Sequence, residues 1–321
     1  MPRIHDFGAF SKTTATSVLE AIGGTPLIGL DRIYTGPGRL VAKAEFLQPG
    51  GSIKDRAALH LIRSARDSGA LHEGQTVVEM TSGNMGSGLA IVCGIMGHPF
   101  VAVMSAGNSP ERATMMRRLG AEVVLEPQVD GSPGRVTGRD IEAATGRAEM
   151  IVQSRDAYFA DQFNAEACVL AHAEGTGPEI LEQLNGRLSA FVASVGTGGT
   201  FVGCARHFRA MAATAECFAV EPEGAEFLAG KPITRQAHLL QGTGYCRTPR
   251  FWDPALCDGF FAVSDAEACS SREELGKLEG LYVGFSSAAN VAASIRYLHQ
   301  RNDPDCVVAT ILCDSGLKYP G

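Results

Sequence analysis

Short runs rich in β-branched residues alternate along this chain with longer helical stretches, and that alternation leaves few architectures open. The runs are LVAKAEF (40 to 46), TVVEM (76 to 80), FVAVM (100 to 104), EVVLE (122 to 126), FVASV (191 to 195), CFAV (217 to 220) and CVVATIL (306 to 312). Between them, helical spacing covers Lys54 to Ser68, Pro110 to Leu119, Phe201 to Met211 and Asn290 to His299. Strands and helices in alternation predict an α/β fold whose mostly parallel sheets are covered on both faces. With 321 residues, 45% of them apolar, the chain is long enough for a large buried core and for more than one domain. The stretch from Pro127 to Gly146, rich in Gly, Pro and Arg, reads as a loop and a short helix. The stretch from Glu221 to Pro254 is too long for an ordinary connection and is expected to shape a site or an interface.

Several partner classes fall away at this level. A net charge of -7 with scattered Lys and Arg lacks the basic face that nucleic acid requires. No apolar run reaches the roughly 18 residues of a membrane span, and the opening MPRIHDFGAFSK has no signal-like stretch, so a cytoplasmic protein is expected. Nine cysteines without a CxxC pair suit a reducing compartment better than a disulfide framework. The dispersed cysteines and histidines offer no zinc spacing, and no metal is expected.

Glycine- and serine-rich turns fall at the strand-to-helix junctions, where open α/β sheets bind ligands. In Gly50-Gly51-Ser52-Ile53-Lys54-Asp55-Arg56, Ser52 and Asp55 have capping-box spacing, which puts Lys54 in the first helical turn. A cation there opposes the helix dipole, and a destabilised ammonium is a better amine nucleophile. The plainer alternative is a solvated lysine paired with Asp55. Thr81-Ser82-Gly83-Asn84-Met85-Gly86 presents amides and hydroxyls at a helix start, suited to a carboxylate or phosphate, although a tight turn alone would also need glycine. Gly196-Thr197-Gly198-Gly199-Thr200 has the make-up of a phosphate cup. It is not a Walker loop, and Phe201 stands where a dinucleotide fingerprint would end in glycine. Glu221, about 20 residues on, keeps a nucleotide reading open. Gly284-Phe285-Ser286-Ser287-Ala288-Ala289 suits close helix packing, yet a buried Ser286 needs a partner, for which a heteroaromatic nitrogen is one candidate.

Taken in order, Gly23-Gly24-Thr25-Pro26-Leu27, GGSIKDR, TSGNMG, TGPEI (Thr176 to Ile180), GTGGT, GFSSAA and Cys313-Asp314-Ser315-Gly316 resemble the cysteine synthase and cystathionine β-synthase family over nearly the whole chain. The resemblance implies a pyridoxal 5'-phosphate enzyme of the tryptophan-synthase-β type. It implies a smaller, mobile α/β domain over 43–150, a larger cofactor-binding domain over 1–42 plus 151–321, and the cofactor in the cleft between them. On this pattern Lys54 is the Schiff-base lysine and general base, and Gly196, Thr197, Gly198, Gly199 and Thr200 are the phosphate loop. Asn84 matches the asparagine beside the cofactor's 3-hydroxyl, and Ser286 the serine facing the pyridine nitrogen. Thr81, Ser82, Gly83, Asn84 and Met85, joined by Gln162, match the loop that takes the substrate carboxylate.

The implied activity is β-replacement on a serine- or cysteine-derived amino acid through an aminoacrylate, with a small nucleophile as second substrate and a homodimer as the assembly. β-Elimination to pyruvate and ammonia is the alternative, and a nucleotide-binding oxidoreductase or a non-catalytic cofactor-binding regulator a more remote one. The sequence departs from the family at Met85, where a threonine is usual, after Gln162, and over Gln241 to Trp252, which adds Arg247, Arg250 and the only tryptophan. These arginines suit an acidic substrate or nucleophile, or equally a polar loop at a dimer contact. The departures shift the expectation from O-acetylserine sulfhydrylation toward a specialised replacement or toward elimination. The chain ends soon after Lys318-Tyr319, and no C-terminal regulatory domain is expected.

Overall fold

The computed structural model describes residues 14–319 except 82, 135, 212 and 213. The chain runs β1 (Leu27–Gly29), β2 (Arg39–Ala44), α1 (Lys54–Asp67), β3 (Val77–Met80), α2 (Asn84–Met96), β4 (Phe100–Ser105), α3 (Pro110–Arg118), β5 (Glu122–Glu126), α4 (Gly138–Arg155) and β6 (Tyr158–Phe159). It continues through α5 (Ala167–Ala171), α6 (Gly177–Gln183), β7 (Ala190–Ser194), α7 (Gly199–Ala210), β8 (Glu216–Pro222), β9 (Gly259–Val263), α8 (Asp265–Glu274), α9 (Phe285–Arg301) and β10 (Val307–Leu312).

Two sheets result. One has the order β1-β2-β10-β7-β8-β9, the other β5-β4-β3-β6. Apart from the antiparallel pairing of β1 on β2, the strands pair in parallel. The apolar runs are continuous because both faces of the strands are buried. Along β2, Leu40 and Ala42 join one core while Val41 joins the other, and β10 divides in the same way, Val308 and Leu312 against Ala309 and Ile311. In the smaller sheet, Val77, Ala102 and Met104 face the core shared with α1 and α2, whereas Val78, Val101 and Val103 face α4. Two apolar layers per sheet are the three-layer α/β arrangement that the alternation predicts.

The strands expected from sequence lie within a residue or two of those found. Three others, β1, β6 and β9, carry too few β-branched residues to stand out. The loop and short helix expected over 127–146 become a loop followed by α4, a helix of 18 residues. Thr137 and Asp140 close a capping box at its start, and the Asp140 carboxylate also takes the Val129 amide, tying down the preceding loop. The capping box expected from Ser52 and Asp55 is not formed. Ser52 Oγ accepts the Lys54 amide at 3.3 Å, but the Asp55 carboxylate turns back to the Gly50 amide. Lys54 nonetheless opens α1, as expected.

What holds the start of α1 is a set of charges inside the protein. Arg56 donates through Nε and Nη2 to Glu45, and through Nη1 and Nη2 to Glu179 on α6 at 2.7 Å. Lys43 on β2, its side chain 0% exposed, pairs with Glu179 at 2.7 Å and donates to the Thr25 carbonyl. Thr25 Oγ1 closes the set on Glu45 at 2.6 Å. Burial would raise the Glu179 carboxyl, but the hydrogen bonds and charges of Arg56 and Lys43 outweigh it and hold the group at about 2. Breaking one member of such a set leaves a buried charge uncompensated. Glu179→Ala is therefore expected to cost about 3 kcal/mol in urea unfolding. Because the folded carboxyl titrates far below the 4.5 of a free glutamate, its contribution is complete above that value and fades as pH falls toward 2. The wild type should lose stability over that interval faster than the variant.

Candidate active site

Lys54 is half-buried at the head of α1, and its amine faces Cys168, Cys313 and Glu79. Burial lowers its pKa, with those three neighbours opposing. The amine makes no hydrogen bond to a described side chain, Asp55 included. The solvated lysine paired with Asp55 is therefore not what the structure contains.

Each neighbour of Lys54 leads to one of the glycine- and serine-rich turns. Cys168 on α5 lies under the loop from Gly196 to Thr200: a Cβ built on Gly199 would stand 2.9 Å from the Cys168 carbonyl oxygen. Gly198 has φ +89 and caps α7, so that helix starts with its free amides at the loop. Thr197 is buried, and Thr200 Oγ1 lies 3.3 Å from His172 Nε2, whose Nδ1 meets Thr176 Oγ1 at 2.9 Å. Burial, with the charges of Arg56 and Lys54, keeps His172 neutral by pulling its pKa well below the usual imidazole value. The loop is closed from outside by Gln241 to Trp252. A Cβ on Gly196 would come within 2.1 Å of the Gly242 carbonyl oxygen and 3.8 Å of the Tyr245 ring, and Pro249 packs on Gly198.

Cys313 leads to the start of α9. Burial raises its thiol to about 12, and the Ser286 and Ser194 hydroxyls hydrogen-bond it. Ser286 is 7% exposed on the first turn of α9. Glu79 leads to Gln162, whose backbone amide donates to its Oε2 at 3.1 Å. Glu79 is also the penultimate residue of β3, with Met80 between it and the stretch Thr81 to Met85. There, Thr81 Oγ1 accepts the Gly86 amide, and Gly83 precedes α2. Asn84 is fixed at both ends: Nδ2 donates to Asp314 at 2.7 Å and Oδ1 accepts from Lys318 at 2.9 Å. One amide hydrogen and one lone pair remain for a further partner. The Met85 side chain, 2% exposed, points into the core that includes Leu89 and Ala90, which leaves its backbone to the loop. Ser82 lies outside the described residues.

The neighbours of the Lys54 amine thus tie it to Gly199, Ser286 and Gln162; Cys168, Glu79 and His172 belong to none of the motifs, whereas Cys313 opens Cys313-Asp314-Ser315-Gly316. Glu79 did leave a trace, as the one charge in the otherwise apolar TVVEM. The donor set fits pyridoxal phosphate: a weakly basic amine for its aldehyde, a glycine cup at a helix start for its phosphate, and a neutral buried hydroxyl for its ring nitrogen. It does not fit a dinucleotide. Glu221 is 3% exposed and its two carboxylate oxygens accept the Leu228 and Ala229 amides at 2.8 and 2.9 Å, so the acid is turned into its own loop rather than presented to a ribose.

A sequence profile of pyridoxal-phosphate dependent enzymes matches residues 18–314. The chain belongs to this family. Among its curated relatives, cysteine synthase 1 of Neurospora crassa is 36% identical over 316 residues, 95% of this chain and 82% of that protein. A probable cysteine synthase of Bacillus subtilis is 36% identical over 94% of each chain. The solved structure of a hydrogen sulfide-producing enzyme from Fusobacterium nucleatum has a TM-score of 0.88 at 32% identity, covering 96% of this chain and 99% of that one. The protein is accordingly a pyridoxal-phosphate-dependent enzyme of the cysteine synthase type.

In this pyridoxal-phosphate-dependent enzyme the approach of Gly242 to Gly196 leaves no room for a methyl group. Gly196→Ala is expected to displace the segment around Gly242 and to weaken cofactor affinity by about ten-fold, a cost of the order seen for overpacking. Titration of the apoprotein with pyridoxal phosphate, followed by visible absorbance, checks this. An unchanged affinity would mean that the segment yields without cost.

Proposed function

We propose that this enzyme carries out β-replacement on a serine- or cysteine-derived amino acid, with Lys54 as its catalytic amine. The observation that carries the reading is the weakly basic Lys54 amine, whose neighbours Cys168, Cys313 and Glu79 in turn meet Gly199, Ser286 and Gln162. Pyridoxal phosphate supplies an electron sink for the charge left at Cα when a proton is removed. Lys54 would hold its aldehyde at rest. Once released, the same amine takes the Cα proton and later returns it. Its lowered pKa favours the neutral form that a base needs near pH 7. Thr197, Thr200 and the amides of Gly196 to Gly199 hold the phosphate, and Asn84 the 3-hydroxyl. Ser286, a neutral hydroxyl, leaves the ring nitrogen uncharged, which suits loss of a group from Cβ. The amides and hydroxyls of Thr81 to Met85, with Gln162, hold the substrate carboxylate.

Two further readings belong to this proposal. The unit built on the four-stranded sheet is the part that closes on the substrate, because it carries the Thr81–Met85 loop while the phosphate loop and Ser286 sit on the other sheet. The working protein is a homodimer, as the resemblance implies, and cytoplasmic, as expected from the sequence. The second functional reading is β-elimination, favoured by the likeness to a hydrogen sulfide-producing enzyme and by a carboxylate loop to which Met85, its side chain in the core, brings no hydroxyl.

A visible absorption spectrum, taken alone and with O-acetylserine, O-phosphoserine, cysteine or serine, tests the proposal. A visible band that is missing in Lys54→Ala and shifts with one of these amino acids is expected. Turnover should then rise by at least about ten-fold when a thiol or sulfide is supplied. Pyruvate formed at the same rate with or without the nucleophile would instead establish elimination. A Lys54→Ala protein with an unaltered band would overturn the assignment of the lysine.

A further inference from the structure

Glu79 is a carboxylate where the fold has little reason to put one. It sits inside β3, 1% exposed, in a strand whose other residues pack into cores on both faces. Burial raises its carboxyl to about 8, against the pull of the Gln162 amide and side chain and of Lys54, while the charge of Asp161 pushes it further up. Such a group persists at a cost unless it does something that an apolar residue cannot.

The geometry around β6 shows what that is. The short ladder between β3 and β6 pairs Val77 with Tyr158 and Val78 with Phe159, and its last bond runs from the Ala160 amide to the Val78 carbonyl. At Asp161 the chain leaves the sheet with φ 48, a left-handed turn that a non-glycine residue adopts at a cost. Asn164 braces that turn by donating to the Asp161 carboxylate at 2.8 and 3.0 Å. The next amide in line belongs to Gln162 and has lost its strand partner. Glu79 Oε2 takes it at 3.1 Å, so a side chain continues the ladder for one more step after the backbone has turned away.

We infer that Glu79 is a positioning residue which orients Gln162 for the substrate carboxylate, joining the end of β3 to the Asp161 turn as one recognition unit. The inference rests on the proposed role of Gln162. Glu79 acts through Gln162 in this reading, since its Oε2 is taken by the Gln162 amide. By accepting from Gln162 it holds that residue beside β3, and the Thr81–Met85 loop starts two residues after Glu79. Lys54 and Asp161 are the other charged groups that face it, with Cys168 and Tyr158 also in its surroundings.

Calorimetric binding of L-alanine to the cofactor-loaded protein isolates this role, because alanine has the α-carboxylate but no leaving group. Gln162→Ala and Glu79→Ala are each expected to weaken binding by about ten-fold, the worth of one hydrogen bond to a buried polar group. The double variant should be no weaker than the worse single one, since both changes remove the same contact. Glu79→Gln keeps an acceptor oxygen and should recover most of the affinity that Glu79→Ala loses. Glu79→Asp keeps the carboxyl group but withdraws its oxygen, and should bind like Gln162→Ala. The cofactor's visible band serves as the check that each variant is folded, and the Gln and Asp variants decide the matter if Glu79→Ala is not. Losses that multiply in the double variant, or Glu79→Asp binding better than Glu79→Gln, overturn the positioning role. If Gln162→Ala binds alanine as the wild type does, the carboxylate reading of Gln162 fails, and this inference with it. A normal Gln162→Ala loss beside an unimpaired Glu79→Ala would refute the inference alone.

Discussion

The buried charges around Arg56 are the constraint on which the rest of the molecule leans. A guanidinium two residues after Lys54 is clamped by Glu45 from below and Glu179 from the side, and Lys43 is drawn into the same group. Four separate pieces of chain, the Thr25 segment, β2 with the turn after it, α1 and α6, are thereby held to one another by directional bonds rather than by oil-like packing alone. Hydrophobic contact would tolerate a small slide or rotation of α1. A bidentate arginine does not, and the first turn of that helix carries the reactive amine.

A second layer of order follows from that anchoring. His172 is buried where a charged imidazole would be costly, next to Arg56 and Lys54, and it spends both ring nitrogens on threonine hydroxyls. It thereby links the TGPEI segment, which carries Glu179, to Thr200 at the end of the glycine loop. The clamp on Arg56 and that loop are thus joined through a single neutral ring. On the opposite side, Asp314 and Lys318 grip Asn84 and Tyr319 donates to Asp314, so the end of the described chain reaches back to the start of α2.

Much of this was legible in the sequence, and what was not has physical reasons. The β-branched runs marked the strands that are buried on both faces, because such strands must be apolar throughout. The edge strands β1, β6 and β9 escaped, since pairing on one side asks less of composition. The ordered turns named Lys54, the Gly196–Thr200 loop and Ser286, and the structure links Lys54 to that loop through Cys168 and to Ser286 through Cys313. Turn motifs are local, whereas Arg56 meets Glu179 across 123 positions and Asn84 meets Lys318 across 234. Spacing along the chain carries no such information. Lys43 and Glu79 did leave a trace as charges within apolar runs, though a lone charge in a strand reads as a solvated edge until its neighbours are known. The capping pair of Ser52 and Asp55 was misleading because Asp55 found a nearer amide in Gly50.

The two thiols that flank the Lys54 amine have a consequence for selectivity among nucleophiles. An aldehyde is open to attack by sulfur as well as by nitrogen, and cysteine is ordinarily the better nucleophile of the two. Burial raises both Cys168 and Cys313 to about 12, so that only about one thiol in 10^5 is ionised at neutral pH. The same apolar surroundings that make the ammonium easier to deprotonate make these thiols harder to deprotonate. Desolvation therefore sorts the three groups by the sign of their charged form, silencing the sulfurs and leaving the amine as the one reactive nucleophile among them.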